Sequence, residues 1–281
     1  MKLTTLFSLF SGTVLLTALP SLISAHFQMI HADGYLRDKG GKVTLNMPFT
    51  HPSHGAPMME MATKPLAFTL HHRDKNTDLN ADLQAVSWSE PSGEKTAQAW
   101  QAETKLRRLG DYVFSLTPVP YYEESEEKYI QQFTKVIYNV GGLPTNWDQP
   151  TGAPFEIIPD LAPYAVYAGG LFSGTVLVDG KPYPNAEIEV EYLNHAVNTE
   201  NNGFVAAANI TYPNAHMNIQ TIKSDAAGRF MFVPPVAGYW GFAALDLDND
   251  QQYEGKELSQ DAVLWIQAHE LAKNPSPEQA Q

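Results

Sequence analysis

The amino-acid sequence predicts an all-β protein made of two β-sandwich domains. After residue 26, Gly, Pro, Asn or Asp interrupts the chain about every ten residues, and the segments between are rich in Val, Ile, Thr, Tyr and Phe, as in strands joined by turns. Most of these segments alternate apolar with polar side chains, as residues 111–117 do. One face of each strand is therefore expected to be buried.

The first half of the chain is predicted to hold six strands and one helix. The predicted strands are residues 42–47, 66–71, 85–89, 96–103, 112–118 and 133–140. The helix is predicted over residues 123–131, a segment whose first turn is acidic, since the helix dipole favours carboxylates at that end. We expect residues 26–165 to form the first domain.

A proline-rich segment marks the predicted boundary between the domains. Its prolines, at positions 150, 154, 159 and 163, are expected to interrupt any strand, and Gly169-Gly170 ends the segment. The second domain is predicted over residues 166–272, followed by a disordered tail over 273–281. Its predicted strands are residues 171–178, 187–192, 218–224, 229–233, 241–247 and 262–268.

Two turns and one long loop are predicted within the second domain. Asp179-Gly180 predicts a tight hairpin because glycine adopts positive φ without strain. Asp225 and Gly228 lie between two alternating segments and predict a second hairpin. Residues 194–213 are polar with scattered Gly and Ala, which predicts a long loop or lid.

Residues 1–25 have the features of a secretory signal peptide. Lys2 precedes an apolar run over residues 6–19, and the small Ala25 stands at the expected cleavage site. Cleavage there makes His26 the first residue and frees an α-amine with a pKa of about 7.7–8.0, beside an imidazole of about 6.5. The amine and the ring Nδ1 can then bind one metal ion. We expect a periplasmic or secreted protein, soluble after processing.

Composition narrows the possible partners and ligands. The chain has no cysteine, so a metal site must use nitrogen, oxygen or thioether donors. The formal net charge of −13 opposes binding to nucleic acid. No Gly-x-Ser-x-Gly, phosphate-binding glycine loop or His-Glu-x-x-His motif is present, so we expect a protein that is not an enzyme.

His51 and His54 are the other candidate metal ligands. They lie on a loop containing Pro and Gly, followed by Met58, Met59 and Met61, and imidazole suits nickel, copper and zinc. The methionines fit core packing better than metal binding. His71 and His72 are consecutive in a predicted strand, so their rings point to opposite faces. Glu123 and Glu124 fall in a charged run and are expected to be solvated.

The chain resembles secreted proteins described as additional periplasmic components of nickel energy-coupling-factor transporters. The residues that carry the resemblance are Ala25-His26-Phe27, His51-Pro52, Met58, 121–123, 133–136, Trp147-Asp148, 156–159, Pro163-Tyr164, 174–182, 189–192, Asp225 and 239–245. The segment 174–186 also occurs in transthyretin-like and carboxypeptidase-regulatory β-sandwiches, and implies that fold for the second domain.

The resemblance implies a protein that binds nickel or cobalt and serves an inner-membrane metal transporter. It supports His26 and His51 as ligands and bears less on His54. Three other interpretations stay open at this point. They are a periplasmic copper-resistance chaperone, a polysaccharide mono-oxygenase with an N-terminal histidine site, and a structural protein that binds no metal.

Overall fold

The computed structural model describes residues 26–272, except His54, Asp248 and Asn249. The predicted signal peptide and the predicted C-terminal tail lie outside the described residues. Within the described range, no helix is long and apolar enough to cross a membrane.

Strands are the main regular structure of the described chain, as predicted. The first eleven are β1 (Phe27–Gln28), β2 (Leu36–Arg37), β3 (Gly41–Met47), β4 (Phe49–Thr50), β5 (Ala67–His72), β6 (Lys75–Asp78), β7 (Gln84–Ser89), β8 (Thr96–Leu106), β9 (Gly110–Thr117), β10 (Tyr121–Glu123) and β11 (Lys128–Val140). The others are β12 (Phe155–Pro159), β13 (Val166–Tyr167), β14 (Phe172–Val178), β15 (Lys181–Pro182), β16 (Glu187–Tyr192), β17 (His195–Asn198), β18 (Gly203–Ala208), β19 (Ile219–Lys223), β20 (Arg229–Phe232), β21 (Gly238–Ala244), β22 (Gln252–Tyr253) and β23 (Lys256–His269). Short 3-10 helices cover Asn80–Asp82 and Ala215–Met217.

Twelve strands form one mixed sheet that runs through both halves of the chain. Its main path is β19-β16-β21-β23-β11-β9-β5-β6, with β10 and β2 paired to β11, and β13 and β22 paired to β23. At its centre β11 and β23 are parallel, with Tyr129 opposite Leu258 and Val136 opposite Trp265. Both strands are buried along most of their length, as expected for central strands covered on two faces.

Three smaller sheets accompany the large one. They have the strand orders β17-β18-β7-β8-β3, β12-β14-β15 with β20 on β14, and β1-β4. Phe27, Trp88, Phe172 and Phe242 each come from a different sheet and belong to one hydrophobic cluster. The prediction of an all-β sandwich is therefore confirmed. The boundary after residue 165 stays a prediction, and strands from both sides of it join in the large sheet.

The helix predicted over residues 123–131 is wrong. Glu123 ends β10, residues 124–127 form a turn, and Lys128 begins β11. Tyr121 to Glu123 pair antiparallel with Ile130 to Lys128. The acidic first turn suited a helix locally, but β11 pairs with β10, β9 and β23. Tertiary context therefore overrides the local preference, since a short helix is only marginally stable by itself.

Three other local predictions needed correction. The segment predicted as a long loop holds the hairpin β17-β18, and Gly203 joins β18 to Ser89 of β7. Asp225 and Gly228 do form a turn, but β19 and β20 then enter different sheets, so no hairpin results. The proline-rich segment contains β12 and β13, with Pro159 as the last residue of β12.

The predicted hairpin at Asp179-Gly180 is confirmed. Val178 pairs with Lys181, and Asp179 and Gly180 have φ values of 48° and 73°. Positive φ at both central residues is the requirement of a type I′ turn.

Candidate metal site

His26 and His51 lie side by side because β1 pairs with β4. Phe27 is opposite Thr50 and Gln28 is opposite Phe49. Continuing this antiparallel register by one residue places His26, just before β1, beside His51, just after β4. The two imidazole centroids are 4.2 Å apart, with 39° between the ring planes. The structure thus brings together two of the three predicted ligands, while His54 lies outside the described residues.

Glu123 is the acidic member of this cluster. Its Oε2 lies 3.0 Å from Nε2 of His26, and its Oε1 accepts hydrogen bonds from the backbone N–H of Ser125 at 3.0 Å and from the Ser125 hydroxyl at 2.6 Å. Glu123 is buried, whereas Glu124 is exposed. The expectation of a solvated run is therefore wrong for Glu123 and correct for Glu124.

Burial and charge decide which of these groups is ionised. Burial and the nearby His51 lower the pKa of His26 to about 3, although Glu123 acts to raise it. Burial opposes ionisation of Glu123, but the hydrogen bonds from Ser125 and the two histidines together hold its pKa below the ordinary value. At neutral pH the cluster therefore contains a neutral His26 imidazole and an ionised Glu123 carboxylate.

The proton on His26 is consequently located on Nε2. A carboxylate can only accept a hydrogen bond, so Nε2–H must donate to Glu123, and Nδ1 carries the lone pair. Nδ1 of His26 is buried and finds no hydrogen-bond partner in the described part of the chain. A buried nitrogen lone pair without a partner is costly, and it is also the form of imidazole that binds metals.

The backbone of His26 is fixed by a buried polar network. The side-chain amide of Gln132 donates to the His26 carbonyl oxygen at 2.5 Å and to Asp261 at 3.2 Å. The Gln132 carbonyl accepts from the N–H of Gln28 at 2.8 Å. Burial raises the pKa of Asp261 to about 6, despite hydrogen bonds from Ser259. These contacts hold the start of β1 against β11 and β23.

The loop that carries His51 is anchored to β16. Ser53 donates to Oε2 of Glu191 through its backbone N–H at 3.0 Å and its hydroxyl at 2.5 Å. The carbonyl of Pro52 accepts from the N–H of Asn194 at 3.0 Å. Burial raises the pKa of Glu191 to about 8. Residues after the predicted domain boundary thus help to position His51, which lies before it.

The remaining described histidines are placed elsewhere, and one of them, His216, lies in the short 3-10 helix Ala215–Met217. His31 lies beside Tyr239 with a centroid distance of 4.6 Å, His195 contacts the carbonyl of Val205, and His269 contacts the carbonyl of Tyr164. His71 and His72 line different clefts, in agreement with their predicted opposite orientations.

Aromatic and thioether side chains complete the surroundings. Phe49 and Tyr121 lie with ring centroids 5.3 Å and 5.7 Å from His26. Met59 and Met61 are buried in the hydrophobic cluster, and Met58 packs against it. The methionines therefore act as core residues, the role that the sequence favoured.

His26 and His51 need a third donor to form a complete site. In residues 26–272 without His54, Asp248 and Asn249, no three His, Asp or Glu side chains are arranged to hold a metal ion together. The donor set that would fit is the unpartnered Nδ1 of His26, the ring of His51, and the α-nitrogen of His26, which the predicted cleavage would convert to an amine. Glu123 contacts Nε2 of His26 and is placed to orient that ring, the position that carboxylates commonly take beside ligating histidines.

Residues 23–248 match a family described as Domain of unknown function (DUF4198). The chain belongs to this family. The match begins just before His26 and includes His51, Glu123 and Glu191. No curated protein matches the sequence.

Solved structures with some similarity include two pairs of domains. The D0-D1 domain of intimin is 12% identical, with 86% of this chain and 97% of that chain covered and a TM-score of 0.20. The tandem V-type regions of VCBP3, a v-region-containing chitin binding protein, are 12% identical over 86% of this chain and 99% of that chain, with a TM-score of 0.23. Scores this low carry no argument about function.

Proposed function

We propose that this protein is a periplasmic metal-binding component, not an enzyme, that holds nickel or cobalt for an inner-membrane uptake transporter. In this proposal the metal is cargo. The processed chain supplies the amine and Nδ1 of His26 together with the imidazole of His51.

The observation that carries the proposal is the unpartnered Nδ1 of His26. It belongs to the residue that signal-peptide cleavage is predicted to expose, and the same residue has its Nε2 held by Glu123 at 3.0 Å. The neighbouring imidazole of His51 is 4.2 Å away between centroids. The tautomer, the neutral charge state and the second ring are those that a nitrogen-rich metal site requires.

The donor chemistry favours late transition metals. Amine and imidazole nitrogens suit Ni(II) and Cu(II), whereas calcium and magnesium prefer oxygen donors. Copper is the main alternative cargo. Met59 and Met61 are buried in the core and Met58 packs against it. The thioethers that supported a copper chaperone thus take part in packing, which favours nickel or cobalt as the proposed cargo.

The transporter and the compartment rest on the N-terminal segment and on the resemblance described above. A signal peptide places the processed chain outside the cytoplasm, where an uptake system needs its metal-capturing component. The formal net charge of −13 favours accumulation of cations near the protein in a non-specific way.

The test compares the processed protein beginning at His26 with a form carrying one additional glycine before His26. Nickel chloride, cobalt chloride and copper sulfate are each titrated calorimetrically into metal-free protein. The additional residue converts the amine into a peptide nitrogen, so nickel affinity should fall at least about tenfold, or 1.4 kcal/mol.

Circular dichroism and thermal unfolding of both forms serve as the control for folding. N-terminal sequencing of the exported protein should begin at His26. Equal nickel affinity in the two forms, or no binding of any of the three metals, would overturn the proposal.

A further inference from the structure

A second candidate site lies in a basic cleft on the large sheet. The cleft has a volume of about 600 Å³ and lies between the β5-β6 hairpin, the end of β8 and the start of β9. Its cationic lining residues are Arg73, Lys75, Lys105, Arg107 and Arg108. We call this surface the basic cleft.

The basic cleft concentrates positive charge in an acidic protein. It holds five of the 18 Lys and Arg residues of a chain with a formal net charge of −13, and Asp74 is its one acidic lining residue. Such a concentration of one sign of charge in a cleft raises the local concentration of oppositely charged ligands.

These cations are not neutralised by neighbouring carboxylates. Among the described residues, the ion pairs of Lys and Arg involve Lys42, Lys128, Lys135 and Lys223, and none of the five cleft residues. The backbone holds one of them in place, because a guanidinium nitrogen of Arg73 donates to the carbonyl of Leu109 at 3.1 Å. The charges are therefore available to a ligand.

The floor of the basic cleft is rigidly built. The rings of His72 and Tyr112 stack with centroids 4.1 Å apart and 13° between planes. The Tyr112 hydroxyl oxygen accepts from the backbone N–H groups of Arg107 and Arg108 at 3.0 Å and 2.8 Å. These bonds fix the backbone at the two arginines without any contribution from a ligand, and preorganisation of this kind lowers the cost of binding.

The ring of His72 also lines the cleft. Nδ1 of His72 donates to the carbonyl oxygen of Asp111 at 2.8 Å. Nε2 of the same ring is buried and has no hydrogen-bond partner among the described residues. Because Nδ1 carries the proton, Nε2 holds the lone pair and can only accept a hydrogen bond, so it does not contribute to binding of an anion.

We propose that the basic cleft binds a small ligand that carries phosphate groups. Five cations in one cleft require several negative charges in a small volume. A phosphate monoester carries about −1.5 to −2 at pH 7 and offers three acceptor oxygens, which exceeds a carboxylate in both respects. Arginine binds phosphate oxygens in a bidentate manner and lysine binds them as a point charge.

A free phosphate compound fits better than a membrane surface. The five cations attract a phosphate group at short range, but the acidic remainder of the protein repels an anionic bilayer over a larger area.

The basic cleft is also remote from the candidate metal site. Tyr112 pairs with Tyr138 at one end of β11, and Glu123 pairs with Lys128 at the other, about 33 Å away at 3.3 Å per strand residue.

The test uses sodium pyrophosphate as the probe, titrated calorimetrically into metal-free processed protein. The variant Lys105→Gln with Arg107→Gln removes two exposed charges from the cleft. The matched control, Lys181→Gln with Arg229→Gln, removes one lysine and one arginine that are exposed, do not line the cleft and lie in a different sheet from its strands. Pyrophosphate affinity should fall at least about tenfold in the cleft variant and stay unchanged in the control.

Two further measurements test whether binding is electrostatic and whether the phosphate group belongs to a free compound or to a lipid. Binding should weaken as sodium chloride is raised, since the interaction is electrostatic. Flotation with phosphatidylglycerol vesicles tests the lipid source of the same phosphate chemistry. Binding to vesicles but not to pyrophosphate, no binding to either, or equal loss of pyrophosphate affinity in both variants would each overturn the proposal.

Discussion

Replacing Glu123 by glutamine tests whether the Glu123 carboxylate sets the orientation and the tautomer of the His26 imidazole. The substitution preserves size but removes the charge that accepts the Nε2–H of His26 at 3.0 Å. The backbone N–H of Ser125 can only donate, so it should retain the amide oxygen of the new side chain. The amide NH₂ then faces His26 Nε2, which must become the acceptor. The imidazole proton moves to Nδ1, the atom that a metal ion needs.

The expected effect follows from this change of tautomer. Loss of the group that orients a ligating histidine typically costs 10- to 100-fold in metal affinity, which corresponds to about 1.4–2.7 kcal/mol. Nickel titration of the processed protein measures this loss. Nitrogen-15 NMR of the imidazole rings of the metal-free protein reports the position of the proton directly, which a general loss of packing would not change.

The matched control is Glu124→Gln, which removes the same charge from an exposed neighbour. It should bind nickel as the unmodified protein does. The reasoning is refuted if Glu123→Gln keeps full affinity, or if its His26 proton stays on Nε2 while affinity falls. A similar loss in both variants would point to overall charge and not to the orientation of His26.

Three further predictions concern the ligands and the buried charges. His51→Ala should lower nickel affinity at least about tenfold, whereas His269→Ala should leave it unchanged, and the reverse result in the same titration would place the site in the second half. Burial raises the pKa of Glu191 from 4.5 to about 8, so its stabilising contribution is complete below pH 4.5 and is lost as pH rises through about 8. The free energy of unfolding, measured with urea at about pH 5 and about pH 9, should therefore differ less between the two pH values for Glu191→Gln than for the unmodified protein. An equal difference in the two proteins argues against a protonated Glu191. Lys135 and Glu156 form a buried ion pair at 3.0 Å, so Lys135→Met should lower the free energy of unfolding by about 3–5 kcal/mol. Adding Glu156→Gln should recover part of this loss, and equal losses in the single and double variants would contradict the ion-pair explanation.

The sequence alone determined the class of fold and most of its strands. Alternation of apolar and polar residues reports which face of a segment is buried, and Gly, Asn and Asp report where the backbone turns. Both signals are local. Residues 187–192 were predicted with their observed bounds, and the turn at Asp179-Gly180 followed from the φ requirement of its hairpin. His26 and His51 were singled out because the sequence predicts a signal peptide that ends before His26 and a loop that contains two histidines.

Tertiary structure decided how the strands pair and what completes the site. Glu123 reaches His26 because β1 lies beside the start of β11, and its acidic neighbours made it resemble a solvated residue. Gln132 and Asp261 meet across the parallel pair β11 and β23. Pairing between distant segments depends on which faces can be buried together and on the entropy of closing the chain between them. Neither quantity is encoded in a local pattern, so only the folded chain could place Glu123 against His26.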